Sequence, residues 1–297
     1  MSPSAPPLDA HPHPAIEVVD LHFAYPHSPT AALEGISLSV AKGSFIAVLG
    51  ANSSGKSTLC HALTGFIPHF YRGDFAGRVR IGGLDTTTRS LDELVQVASL
   101  VFQNPLNQIS GAKFTVREEI AFGLENLGVP RAEMTRRITE VMDLVGITDL
   151  ADRSPFALSG GQQQLLALAA MLVLRPQIFV LDEATSALDS AGSRRIFSLL
   201  HQLSRTGMTV VLAERKLEEI AVHCDRVLVL DQGRIILDGP PRQVLASPRL
   251  EQCHVGRTRY SRVAERALTF GGWPVDRSLP VGFQEAVAGF LHLGSKR

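Results

Sequence analysis

Residues 50–58 read Gly-Ala-Asn-Ser-Ser-Gly-Lys-Ser-Thr, a complete G-x-x-x-x-G-K-[ST] string with Gly50, Gly55, Lys56 and Ser57 at its fixed positions. The apolar run Phe45-Ile46-Ala47-Val48-Leu49 precedes it, and apolar residues recur after it at Leu59, Ala62, Leu63 and Phe66. A strand, a glycine-rich loop and a helix in that order are what a phosphate-binding loop requires. The glycines let the backbone turn tightly, so that the N–H groups of Ala51, Asn52, Ser53 and Ser54 converge on one anion. A helix opening near Ser57 and Thr58 adds its positive dipole end. Lys56 is placed to reach the β- and γ-phosphates of a nucleotide, and the Ser57 hydroxyl to ligate Mg²⁺.

Such a loop also needs a metal-holding carboxylate at the end of a neighbouring strand. Asp182 follows the short apolar run Ile178-Phe179-Val180-Leu181, so it projects from a strand's carboxyl edge, where ligands of α/β proteins bind. Glu183 comes next, suited to orienting a water or accepting its proton during attack on the γ-phosphate.

Strand patterns over 16–25, 35–49, 210–212 and 227–230 alternate with helical ones at 116–127, 131–145 and around Ile196, Leu199, Leu200 and Leu203. That order predicts an α/β fold with a covered sheet. The mainly helical stretch near 106–165 interrupts the alternation, as an inserted helical subdomain would. Residues 250–262 read as a polar linker, and 263–293 as a small appendage. The Pro-rich residues 1–14 lack an apolar core and read as a disordered tail, with His11 and His13 as solvated side chains.

The chain has 297 residues, 45% of them hydrophobic, and zero formal net charge, so no global basic field argues for nucleic acid as a partner. No apolar stretch approaches the roughly 18–20 residues of a membrane span. Three cysteines, Cys60, Cys224 and Cys253, are widely spaced, as free thiols of a reducing compartment are.

Further strings carry a resemblance to a known family. Leu158-Ser159-Gly160-Gly161-Gln162 resembles the signature sequence of the ATP-binding cassette proteins; small residues before a helix make a second anion site there, closing in the family on ATP held by the opposite subunit. Gln103, after Leu100-Val101-Phe102, resembles the glutamine that senses Mg²⁺ and the γ-phosphate. Ser186-Ala187-Leu188-Asp189 resembles the segment that crosses the dimer interface, and Tyr25 stands where the family stacks an aromatic ring on adenine. The resemblance covers roughly residues 15–245. It implies the phosphate-loop NTPase fold of these ATPases over 15–246: an N-terminal antiparallel β subdomain, a RecA-like core, an inserted helical subdomain, and a linker and small C-terminal domain over 247–297. It also implies Asp182, Ser57 and Gln103 as ligands or sensors of Mg²⁺.

A narrower resemblance lies in Phe102-Gln103-Asn104-Pro105-Leu106-Asn107-Gln108 and the stretch from Thr115 to Asn126, which look like the energy-coupling-factor ATPases, including the cobalt- and nickel-importer type. Val263–Leu268, Gly271-Gly272, Leu279-Pro280 and Gln284-Glu285-Ala286 fit the tail of those proteins loosely. The resemblance implies a peripheral subunit on the cytoplasmic face of the cell membrane. It would energise uptake of a vitamin, a vitamin precursor or a transition-metal ion. Its partners would be a transmembrane coupling protein, a substrate-binding membrane subunit and a second cassette subunit, a different chain in preference to a second copy. Other readings are an importer ATPase served by a binding protein, and a soluble cassette protein acting on nucleic acid or ribosomes. The latter commonly carries paired cassettes, coiled coils or zinc insertions, none of which appears here.

Three positions depart from the family pattern. Counting back from Asp225-Arg226-Val227 puts Arg215 at the place of the switch histidine, with Glu214 and Lys216 as the one-residue slips. Leu165 replaces an arginine, and Ser53 a glycine. Arginine binds phosphate but does not shuttle a proton. The departures fit either tolerated drift or a weakened site within a heterodimer.

Overall fold

The computed structural model describes residues 14–274 and 278–294; the expected tail, Pro14 apart, lies outside them. Among the described residues the strands are β1 (Ile16–Ala24), β2 (Leu33–Val40), β3 (Phe45–Leu49), β4 (Asp74–Ile81), β5 (Leu84–Asp85), β6 (Ala98–Val101), β7 (Ile178–Asp182), β8 (Thr209–Ala213), β9 (Arg226–Asp231) and β10 (Arg234–Gly239). The helices are α1 (Lys56–Ala62), α2 (Phe66–His69), α3 (Leu91–Leu94), α4 (Val116–Asn126), α5 (Arg131–Val145), α6 (Gly160–Leu172), α7 (Ser190–Arg205), α8 (Leu217–His223), α9 (Pro241–Leu245), α10 (Arg249–Gln252), α11 (Arg259–Leu268) and α12 (Phe283–Gly294).

Two sheets result. An antiparallel sheet has the order β2-β1-β4-β5, and a larger sheet the order β10-β9-β3-β8-β7-β6. In the larger sheet β9, β3, β8, β7 and β6 run parallel, with β10 antiparallel at one edge. This is the expected α/β fold, with helices α4, α5 and α6 inserted between β6 and β7.

All residues of β3, β7 and β8 are buried, as their apolar runs, broken only by Asp182 and Thr209 at strand ends, dictate for strands covered on both faces. Alternation divides β3 between two cores: Phe45, Ala47 and Leu49 pack with residues of α4–α8, and Ile46 and Val48 with α1, β1 and β2. Asp182 pairs in register with Ala213, and Ala213 with Val48. The three strands therefore end together, so the loops after β3, β7 and β8 emerge at one edge.

Local signals set most helix ends. Thr115 and Glu118 form a capping box at the start of α4, and Gly146 ends α5 with φ 80°. The apolar pattern through Phe66 does not continue one helix, because Gly65 turns the chain at φ 79° and Phe66 opens α2. β4 and β10 were not foreseen. In β4 only Val79 and Ile81 are buried, so pairing with β1, not an apolar run, holds the strand. The stretch 250–262, expected as a polar linker, is largely helical: α10 and the start of α11 occupy it, with Leu250 and Cys253 buried in the main core. All three cysteines are buried and free. Among the described residues no helix is long and apolar enough to cross a membrane.

Candidate functional site

The phosphate loop closes between β3 and α1. A Cβ at Gly50 would lie 2.5 Å from the Leu230 carbonyl oxygen, and one at Gly55 (φ 104°) 2.6 Å from that of Ala32. Both positions demand glycine by close approach. Ser53 occupies the left-handed region at φ 61°, which explains why a glycine is the usual occupant and why a serine there carries some strain. Lys56 is buried, and its Nζ donates to the carbonyl oxygens of Gly50 at 3.0 Å and Ala51 at 2.8 Å. Burial lowers the Lys56 pKa, an effect opposed by the nearby Glu183 carboxylate. An ammonium so confined exchanges those carbonyls for phosphate oxygens at little conformational cost.

Beside the loop, a cleft of about 230 Å³ is lined by Tyr25, Ala32, Ser53, Lys56, Ser57 and Thr58. The Tyr25 hydroxyl lies 3.3 Å from Thr58 Oγ1, and its ring packs edge-on against Phe23 at 4.9 Å. Tyr25 thus sits at the mouth of the loop.

Asp182 is buried at the end of β7, and its Oδ1 has no hydrogen-bond partner. Burial raises its pKa, and the Ser57 hydroxyl pulls the other way. Among the described residues no group of three or more His, Cys, Asp or Glu side chains could hold a metal. An open carboxylate oxygen beside a hydroxyl nonetheless fits Mg²⁺, which takes one or two carboxylates and completes its shell with water and substrate phosphates.

Glu183 has φ 48°, a sparsely populated backbone setting for a residue with a side chain. Each of its two carboxylate oxygens accepts a hydrogen bond. Gln103 Nε2 donates to Oε2 at 3.1 Å, and Arg215 Nε donates to Oε1 at 3.2 Å. Arg215 Nη2 also donates to Asn52 Oδ1, joining the β8 loop to the phosphate loop. The neighbours of Arg215 face elsewhere. Glu214 is buried, accepts from Thr185 Oγ1 at 2.9 Å, and has its pKa raised by burial. Lys216 Nζ donates to the Thr185 carbonyl at 2.6 Å and to the Ser193 hydroxyl. Of these three residues only Arg215 reaches Glu183.

Ser159 caps α6: its hydroxyl accepts from Gln162 N, and Gln162 Oε1 accepts from Ser159 N at 3.0 Å. Leu158 is buried, and a Cβ at Gly161 would lie 3.2 Å from the Ala187 carbonyl, so this turn abuts the 186–189 segment. Asp189 caps α7, its Oδ1 accepting from Gly192 N at 2.6 Å. Leu165 packs against the main core, which accounts for an apolar residue there. Among the described residues no hydrogen bond joins 158–162, Gly160 included, to 50–58. Residues brought together in one chain are thus Tyr25, 50–58, Gln103, Asp182, Glu183 and Arg215; the signature turn stands apart.

Two contacts of this site have no sequence signal. The side chain of Asn52, expected to contribute only its backbone N–H, bonds Arg215 across 163 positions of chain, and His254 lines a cavity with Gly50, Asn52 and Arg215.

The sequence pattern of the ABC transporter family matches residues 33–186. A putative ABC transporter ATP-binding protein of Pyrococcus abyssi is 43% identical over 230 residues, 77% of this chain and 81% of that protein. The energy-coupling factor transporter ATP-binding protein EcfA of Methanocaldococcus jannaschii is 37% identical over 251 residues, 84% of this chain and 86% of that protein. Among solved structures, cbiO1 from Clostridium perfringens, part of the ABC transporter complex cbiONQ, superposes with a TM-score of 0.70 at 29% identity, covering 88% of this chain and 98% of that one.

Proposed function

This chain belongs to the ABC transporter family, and from that premise we propose that it is the ATP-hydrolysing subunit of an energy-coupling-factor importer, peripheral to the cytoplasmic face of the membrane. Its substrate is ATP with Mg²⁺. Its partners are a second cassette subunit, a transmembrane coupling protein and a substrate-binding membrane subunit, and its cargo is a vitamin, a vitamin precursor or a transition-metal ion. The observation that carries the energy-coupling-factor reading is the 37% identity with the EcfA relative over 84% of this chain and 86% of that protein. The likeness to cbiO1, which covers 88% of this chain, supports an ATPase within a membrane transporter complex.

The chain's residues divide the chemistry between them. Lys56 and the N–H groups of 51–57 hold the β- and γ-phosphates. Ser57 and Asp182 would hold Mg²⁺, with Gln103 beside them; the ion supplies charge neutralisation at the transferring phosphoryl group. Glu183 orients the attacking water and receives its proton at a carboxylate oxygen, while Gln103 and Arg215 fix that carboxylate's direction. Arg215 stays charged throughout, so it binds and positions but carries no proton. The turn at Ser159–Gln162, with Asp189 beside it, meets the nucleotide held by the partner cassette, so two ATP molecules lie between two subunits. The departure at Arg215 favours a partner of different sequence that carries a histidine at its own switch.

Lys56→Ala tests the nucleotide assignment. The variant should remain folded and lose most affinity for Mg·ATP, measured by calorimetric titration. Undiminished binding would overturn the site.

A further inference from the structure

We propose that residues 254–259 form a clamp on the loop that bears Arg215, with Arg259 as a positioning residue that links the C-terminal helices to ATP turnover. The inference rests on Arg215 acting at the nucleotide site, as proposed above.

The segment meets that loop on two flanks. On one, His254 and Val255 line a cavity of about 300 Å³ together with Gly50, Asn52, Glu214 and Arg215. On the other, the Arg259 backbone N–H donates to Glu218 Oε1 at 3.0 Å, and the Arg259 guanidinium donates to the same oxygen at 3.2 Å. Glu218 stands in the first turn of α8, three residues after Arg215. Burial pushes the Glu218 pKa up, but the Arg259 N–H and guanidinium outweigh it and the net shift is downward.

The clamp is stiff along its length. Leu250 and Cys253 are buried and Val255 packs against the main core, so His254 is fixed between anchored neighbours at φ 55°. The Arg257 side chain is only 7% exposed, with Nε 3.1 Å from Glu251 and Nη1 3.2 Å from Glu265. The Nε contact misses hydrogen-bond geometry, so it acts as charge attraction. Thr258 is buried and caps α11 by accepting from Ser261 N at 3.1 Å. A second tie joins the C-terminal helices to the cassette where Arg242, in α9, lies 3.3 Å from Glu285, in α12.

Glu183 accepts one of its two side-chain hydrogen bonds from Arg215, and Glu218, three residues further on, is held by Arg259. Loosening that hold lets Arg215 and the carboxylate drift, and catalytic geometry tolerates little displacement. A residue that only stabilised the fold would not alter turnover in a way that depends on Arg215.

The test uses the full-length chain in its membrane complex. Arg259→Glu should lower kcat roughly two- to fivefold, the reach of an exposed ion pair, with KM for ATP unchanged. Adding Glu218→Arg should restore most of the loss. In an Arg215→Ala background, Arg259→Glu should have no further effect. In the purified chain, hydrogen exchange of amides 215–220 should quicken in Arg259→Glu. Unchanged kcat with unchanged exchange, or losses from Arg259→Glu and Arg215→Ala that multiply, would overturn the clamp. If Arg215→Ala leaves kcat at the wild-type value, the role assigned to Arg215 fails instead, and the exchange result alone decides the clamp.

Discussion

Arg215 donates through Nε to Glu183 Oε1 at 3.2 Å, so a permanent cation steadies that carboxylate. A histidine in that place would carry its charge only in part near neutral pH and would be able to pass a proton. Arginine trades proton transfer for constant electrostatic hold, and its second bond, to Asn52, ties that hold to the phosphate loop.

Glu183→Gln keeps the side chain's size and removes its basicity. In the assembled complex kcat should fall by ~10²–10⁴-fold while Mg·ATP still binds, trapping a nucleotide-loaded dimer visible by gel filtration. A decline of less than severalfold would put the main hydrolysis at the partner's composite site.

Arg215 is tested by two replacements read together. Arg215→His should raise kcat, because a proton-carrying group returns beside Glu183. Arg215→Ala should lower it, because one of the two bonds that orient the carboxylate is gone. Steady-state ATPase rates of both variants, with the partner subunits present, check the pair. Equal rates in all three proteins would show that this position does not limit turnover.

Much of this site is legible in the sequence because its parts are short, contiguous strings. The loop at 50–58, the Asp182-Glu183 pair after an apolar strand and the turn at 158–162 each declare their chemistry within a few residues. Counting back from Asp225-Arg226-Val227 points to Arg215 yet leaves Glu214 and Lys216 open. Only the geometry separates them, since Glu214 turns inward to Thr185 and Lys216 turns to the start of α7. The Asn52–Arg215 bond and the approach of His254 depend on chain crossings that no local pattern encodes. β4 escaped notice for a similar reason: its arginines and glycine break the apolar pattern, and its strand character comes from pairing with β1.

His61 gives the fold a sign-definite response to acid. Its ring stacks on Tyr71 at 4.4 Å among Phe66 and Phe102, and burial lowers its pKa to about 4. The unfolded chain takes up this proton near pH 6.5. Between about pH 6.5 and 4 the unfolded state therefore binds more protons than the folded one, and stability falls as pH drops through that window. Urea midpoints at pH 7 and pH 5 should show a smaller loss for His61→Phe than for the wild-type chain. Equal losses would show that His61 is protonated alike in both states.

Coupling of ATP hydrolysis to a membrane importer is open to direct measurement. The most direct measurement is the ATPase rate of the full-length chain, purified alone and then with the integral membrane proteins that co-purify with it from detergent-solubilised membranes. The chain should be recovered with such proteins, and its rate should rise severalfold in their company and be abolished by Lys56→Ala. Recovery with nucleic acid in place of membrane proteins, or a full rate from the chain alone that membrane subunits leave unchanged, would contradict that coupling.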